Sequence, residues 1–171
     1  MNHKEDLPKK LNYLMIVTSD SIFSKIEKGE KFEDLSGSLA EEIIIKSGNE
    51  FLGRIYVPNN IDLIRRKIKE VLSEGKVDVI LVSGGTGLSS KDVTVEAISP
   101  IFEKTLPGFG ELFRFISYGK IGTSAIASRA TAGIVRKVLI FLLPGSPDAV
   151  KLALEEIILQ EAPHLIKMIR G

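Results

Sequence analysis

At 171 residues, 44% hydrophobic and 26% charged, the chain suits one globular domain with a sizeable core. Its 23 Lys and Arg against 22 Asp and Glu leave a formal charge of +1, so it offers no overall electrostatic footprint for nucleic acid or an anionic membrane surface. With no cysteine there can be no disulfide, thiolate chemistry or Cys-rich zinc site, and with no apolar run of spanning length and no apolar signal core in residues 1–10 the expectation is a cytoplasmic protein.

Residues 1–10 read as a flexible tail and residues 11–171 as a single domain. Residues 11–18 form a first buried strand, followed by a long segment rich in Lys and Glu over 19–33 that reads as a loop and a candidate mobile lid. Residues 34–46 carry Leu35, Leu39 and Ile43 at helical spacing with Asp34 as N-cap, and a second strand spans 52–57. After Pro58-Asn59-Asn60 the stripe Ile61, Ile64, Ile68, Val71 and Leu72 marks an amphipathic helix that Gly75 ends. Residues 79–82 form a short β-branched strand, and two helical stretches separated by Pro107-Gly108 follow it. Residues 130–135 and 138–143 read as strands joined by a turn at Arg136-Lys137, and Pro144-Gly-Ser-Pro147 opens a long final helix with Ser146 as N-cap.

Strands alternating with helices predict a largely parallel sheet covered on both faces, with one antiparallel hairpin near the end. In such a sheet a ligand site lies at the carboxyl ends of the strands, where the loops at 19–33, 58–60, 83–92 and 144–147 converge. The most informative of these is the glycine-rich turn Gly84-Gly-Thr-Gly87 with Asp92 beyond it. Glycines let the backbone turn sharply with its N–H groups exposed, an arrangement that cradles phosphate. Asp92 beside a phosphate oxygen at about 4 Å is repelled by roughly 1 kcal/mol in water and roughly 4 kcal/mol at a dielectric of 20, and a bridging Mg²⁺ turns that repulsion into coordination. The Walker loop is excluded because Ser90, not Gly, precedes Lys91, and the dinucleotide fingerprint lacks its third glycine. From these residues alone, a tight strand-to-helix turn with Asp92 as a helix cap is an equal reading.

The ordered set Thr18-Ser-Asp-Ser21, Asp34-Leu-Ser-Gly37, Val57-Pro58, Gly84-Gly-Thr-Gly87, Asp92-Val-Thr94, Pro107-Gly-Phe-Gly110 with Arg114, Ser128-Arg-Ala130, Ala132-Gly133 and Pro144-Gly-Ser-Pro147 resembles the molybdenum-cofactor biosynthesis proteins of the MoaB/Mog type over nearly the whole chain. The resemblance implies a three-layer α/β/α sandwich with a mostly parallel sheet and one antiparallel strand, assembled as a homotrimer or hexamer. It also implies Mg-ATP-dependent adenylylation of molybdopterin with release of pyrophosphate, and hand-over of the product to a separate metal-insertion protein. By that likeness Gly84, Gly85, Thr86, Gly87, Pro144, Gly145 and Ser146 contact nucleotide phosphate. Ser36, Ser128, Arg129 and Gly133 lie near the pterin, and Asp92 holds Mg²⁺ or positions the reacting phosphates.

One departure bears on catalysis. The family pattern after the second strand is Pro-Asp followed by Asp or Glu, whereas this chain has Pro58-Asn59-Asn60, so a carboxylate is missing at Asn59. An amide oxygen still ligates Mg²⁺ but brings no negative charge, and Asp20 or Asp62 could replace it. The alternative function is a catalytically weak or inactive molybdopterin-binding scaffold. Arg114 reads as an interface or solvated residue, residues 109–115 as core or subunit contact, and His3 and His164 as surface residues.

Overall fold

The computed structural model describes residues 6–171; the expected tail up to residue 5, with His3, lies outside them, and residues 6–10 hold no helix or strand. The parallel strands are β1 (Asn12–Thr18), β2 (Glu50–Val57), β3 (Val79–Ser83) and, later in the chain, β6 (Val138–Leu143). Before β6 come a two-residue edge strand β4 (Lys104–Thr105) and β5 (Thr131–Val135), and the sheet order is β2-β1-β3-β6-β5-β4. Only β5 runs against its neighbours, pairing antiparallel with both β6 and β4. The sheet is therefore mostly parallel with one antiparallel strand, as expected.

The central strands are apolar throughout because both of their faces are covered. Tyr13, Met15, Val17, Val79, Leu81, Leu139 and Phe141 point into a core shared with helices α2 (Leu35–Lys46), α5 (Pro107–Ile121), α6 (Pro147–Ala153) and α7 (Leu159–Arg170). The intervening Ile16, Ile80, Val82, Ile140 and Leu142 meet α3 (Ile61–Glu74) and α4 (Thr94–Ile98) on the other face. This is the three-layer sandwich, built from a two-residue side-chain period. Local chemistry closes the elements as their sequences predict. Asp34, Asn60 and Ser146 cap α2, α3 and α6, and Gly75 ends α3 at φ +67°. Arg136 and Lys137 turn the β5–β6 hairpin with both φ angles positive, at +48° and +65°.

Three features depart from the expectation. Residues 19–33 are not a continuous loop, since α1 (Asp20–Glu27) occupies their first half with the Ser19 hydroxyl accepting from the Ile22 N–H. The edge strand β4 is too short to leave a periodic trace. The final helix contains a π-turn at Leu154–Ile158, where the Gln160 side-chain amide donates to the Glu155 carbonyl at 2.8 Å.

Gly133, which the resemblance places near the pterin, has a packing role here. It lies in the middle of β5, opposite Ile140 and Thr105, and an added Cβ would sit 2.3 Å from the Phe102 ring. Gly133→Ala should cost about 1–3 kcal/mol by overpacking. A denaturant midpoint equal to that of the parent chain would show that Phe102 yields freely.

Candidate active site at the carboxyl ends of the strands

The glycine-rich turn leaves β3 and packs against the end of β1. Gly84 and Gly85 have φ of +95° and +66°, and the Gly84 N–H donates to the Leu143 carbonyl of β6 at 3.0 Å. A Cβ on Gly84 would lie 2.4 Å from the Thr18 carbonyl oxygen. One on Gly85 would lie 2.3 Å from Thr94 Oγ1, 2.6 Å from Asn59 Oδ1 and 3.0 Å from Thr18 Oγ1. Glycine is thus required twice, for backbone hand and for close approach. Thr94 secures the turn from α4, its hydroxyl donating to the Gly84 carbonyl at 2.8 Å and its N–H to the Gly85 carbonyl at 2.9 Å. Among the described residues, the N–H groups of Gly85, Thr86, Gly87 and Leu88 have no protein acceptor. Runs of free amides on a turn are the backbone feature from which anion-binding concavities are made.

Asn59 and Asp92 stand at the two ends of this stretch. Asn59 Oδ1 is buried beside Gly85 without a hydrogen-bond partner, while the Asn59 N–H donates to the Asp20 carboxylate at 2.8 Å. Asp92 leans on Gly87, where an added Cβ would meet its Oδ2 at 2.7 Å, and that oxygen accepts from the Ser89 N–H at 3.1 Å. Asp92 does not cap a helix, because α4 begins at Thr94 after Val93.

On the other side of the turn lies the Pro144–Ser146 loop. Gly145 packs on Gly84, and Ser36 donates from its hydroxyl to the Gly145 carbonyl at 2.7 Å. Ser36 is held there by Asp34, whose buried carboxylate accepts from the Gly37 N–H, the Tyr56 hydroxyl and Arg54. A cleft of about 320 Å³ opens here, with Thr18, Ser19, Leu35, Ser36 and Gly84 in its wall. Ser128 belongs to a different cleft of about 690 Å³ between α5 and α6, which reaches Pro144 and Ser146 and includes Lys120 and Lys151. The structure therefore gathers Gly84, Gly85, Thr86, Gly87, Asn59, Asp92, Gly145 and Ser36 around one turn, sets Ser128 on the far side of the Pro144–Ser146 loop, and leaves Gly133 in the sheet.

Arg129 is near the turn but committed to it. Its Nε donates to the carbonyls of Thr86 and Gly87 at 3.1 and 3.0 Å, and its terminal nitrogens bond the Asp92 carbonyl and the Glu96 carboxylate. The Arg129 hydrogen bond holds the Glu96 carboxyl below its ordinary pKa of 4.5. Arg114 is not simply solvated either, since it donates to the carbonyls of Ser128 and Ala130 at 3.4 and 3.0 Å. Glu96 and the hydroxyls of Thr18 and Thr94 have no assigned role in the sequence, whereas Asp20, weighed there as a substitute carboxylate, reaches the site through the Asn59 N–H. Thr18, Asp20 and Thr94 fall inside the resembling segments, but nothing local marks Glu96, whose partner is 33 residues away.

The Mg²⁺ that the family implies finds a modest donor set. Among the described residues no three His, Asp or Glu cluster as a metal site. Asp92 offers a carboxylate and Asn59 an orphaned buried oxygen, which fits a cation bound chiefly through substrate phosphates, as Mg²⁺ is in many nucleotide sites.

A mostly parallel α/β/α sandwich with an amide-lined turn at its topological switch defines a doubly wound class of protein whose ligand site lies at the carboxyl ends of the strands. Residues 14–164 match the family model described as "Probable molybdopterin binding domain", and the chain belongs to that family. It is 37% identical over 169 residues to molybdenum cofactor biosynthesis protein B of Bacillus subtilis, covering 98% of this chain and 95% of that one. It is 40% identical over 172 residues to the molybdopterin adenylyltransferase of Pyrococcus furiosus, covering 98% and 96%. The crystal structure of the tungsten cofactor synthesizing protein MoaB from Pyrococcus furiosus superposes with a TM-score of 0.83 at 39% identity, over 96% of this chain and 99% of that one.

The Glu96 shift has a defined sign. A carboxyl whose folded pKa is depressed contributes stability above its unfolded value, and loses that contribution as pH falls through the folded value. The stability difference between the parent chain and Glu96→Gln should therefore be full above about pH 5 and shrink as the solution is acidified below about pH 4.5. Denaturant titrations across that range check it, and a difference independent of pH would remove Glu96 as the responsible group.

Proposed function

We propose that this chain is a Mg-ATP-dependent molybdopterin adenylyltransferase of molybdenum cofactor biosynthesis, working in the cytoplasm. The observation that carries the reading is the run of four partner-free amides from Gly85 to Leu88, set between Asn59 and Asp92. Its support from outside the chain is the name that relatives at about this level of identity bear. An oxygen of the pterin's terminal phosphate attacks the α-phosphorus of ATP. The new P–O bond forms as the bond to the bridging oxygen of the β-phosphate breaks, and pyrophosphate leaves with that electron pair. Such transfers depend on in-line positioning and on neutralising charge, so no side-chain nucleophile is needed. That suits a chain without cysteine whose His164 lies exposed on the last helix.

The residues divide the work. The free amides receive phosphate oxygens, Ser36 holds the Pro144–Ser146 loop against the turn, and the clefts on either side of that loop accept the two substrates. Bound Mg²⁺ supplies charge neutralisation on the phosphates. Asp92 and Asn59 are the side chains that would hold it, with Asp20 fixing the Asn59 backbone. A second reading, a pterin-binding scaffold with little turnover, draws on the uncharged Asn59 and on the lack of a three-residue ligand cluster among the described residues.

Incubation with molybdopterin, ATP and Mg²⁺ distinguishes the two, since the enzyme yields adenylylated pterin and the scaffold binds pterin without product. Asp92→Asn should slow transfer on the order of a hundredfold, as losing a strong electrostatic contact at a transition state does. Asn59→Asp should preserve or raise turnover and lower the Mg²⁺ concentration required. Undiminished turnover of Asp92→Asn across a Mg²⁺ titration would remove Asp92 from the metal site.

We also propose a homotrimer or hexamer, with the product passed to a separate metal-insertion protein. The outer face of α5 and the turn after it carry Phe115 at 76% exposure and Ile126 at 88%, with Leu112, Tyr118 and Ile121 also exposed. Apolar surface of this kind fits burial against another copy. Phe115→Glu should shift sedimentation toward the monomer, and a parent chain already monomeric at micromolar concentration would contradict the assembly.

A further inference from the structure

We infer that Arg129, held by Glu96, is a positioning residue that aims the Gly87 and Leu88 amides at the substrate's phosphate and does not itself bind that phosphate. The inference deepens the adenylyltransferase reading and rests on it for the identity of the anion.

The geometry is that of a clamp. A planar trans peptide carries its C=O and N–H on opposite sides. By donating Nε–H to the Thr86 and Gly87 carbonyls, Arg129 fixes two successive peptide planes, so that the N–H groups of Gly87 and Leu88 turn away from it. Both amides are among the four without a protein acceptor. One terminal nitrogen also donates to the Asp92 carbonyl at 3.4 Å, which ties the far end of the loop to the same guanidinium. The Glu96 carboxylate takes both terminal nitrogens and offsets the charge, while Arg114 fixes the backbone on either side of Arg129 through the Ser128 and Ala130 carbonyls. Three loop carbonyls and one carboxylate thus converge on a single side chain. A lysine at this place keeps the charge but cannot span those acceptors, because it lacks the planar fork.

The competing role makes the opposite forecast for one variant. If Arg129 were a phosphate ligand restrained by Glu96, then Glu96→Gln would release it and tighten anion binding. A clamp that loses its anchor binds the anion more weakly.

The probe is pyrophosphate, titrated into the full chain while the backbone amides are followed by NMR. In the parent protein the amides of residues 85–88 should shift. Arg129→Lys should weaken pyrophosphate binding by about tenfold, as the loss of a good hydrogen-bonding contact does, and shrink the pyrophosphate-induced shifts at Gly87 and Leu88. Glu96→Gln should weaken binding by a smaller factor, and it is read in place of Arg129→Lys if that variant fails to fold. Unchanged affinity in the folded Arg129→Lys protein, tighter binding by Glu96→Gln, or parent amides that ignore pyrophosphate would each overturn the clamp. Failure of the reaction itself reads differently: a parent protein that makes no adenylylated pterin, yet binds pyrophosphate at 85–88 and loses affinity in both variants, keeps the clamp and removes the activity.

Discussion

The contact between the Gly84–Gly85 turn and the end of β1 is the constraint on which the site depends. The Thr18 carbonyl and hydroxyl, the Thr94 hydroxyl and Asn59 Oδ1 all crowd the space where side chains of these two glycines would be. Without that approach the turn would stand off the sheet, and Thr94 could not reach the Gly84 and Gly85 carbonyls that hold it. The neighbouring loops are placed relative to the turn. Gly145 rests on Gly84, Ser36 reaches Gly145, and Asp34 holds the start of α2 that carries Ser36. Packing between backbones therefore sets the distances within the site, and side-chain chemistry is arranged around it.

What the sequence showed of this follows from the range of the interactions involved. Buried parallel strands, the stripe of α3, the caps at Asp34, Asn60 and Ser146, and the glycine turn are local patterns, each set by a period or a single backbone requirement. The α1 helix is hidden because Lys and Glu over 25–33 suggest solvent and its apolar stripe, Ile22, Phe23 and Ile26, is only two turns long with none of it fully buried. β4 has two residues and no period at all. In the site, the residues around the turn were legible because glycine chemistry and a nearby carboxylate occur together in sequence. The Arg129–Glu96 pair was not, since a contact between distant segments leaves no spacing to read. For Arg114 and Arg129, charge suggested solvent or phosphate, whereas burial of loop carbonyls claimed both side chains.

Asn59 illustrates how a substitution can be tolerated by the fold while altering the electrostatics. Its Oδ1 shares the space above Gly85 with the Thr94 and Thr18 hydroxyls. The amide leaves that buried oxygen without a partner. Structurally the exchange is mild, because amide and carboxylate have nearly the same shape. Electrically it takes a full charge from the side of the turn away from Asp92, so any cation between the two must draw more of its neutralisation from the substrate's phosphates.

The charges near the turn bear on how it would hold the phosphate proposed for it. Arg129 bonds the loop carbonyls and Glu96 offsets it at close range, while Lys91 is carried on the loop itself. Asp92 contributes a negative charge at the far end. With Arg129 paired to Glu96 and Lys91 next to Asp92, little net positive charge is left at the turn itself, and salt screens what field there is. Four oriented amides act at hydrogen-bond distance, where direction matters more than total charge. Their direction is a property of the peptide planes, and those planes are fixed from behind by the carbonyls that Arg129 and Thr94 hold. In the reaction proposed above, preorganised dipoles of this kind would stabilise the shift of charge from the α-phosphate to the departing pyrophosphate without having to rotate.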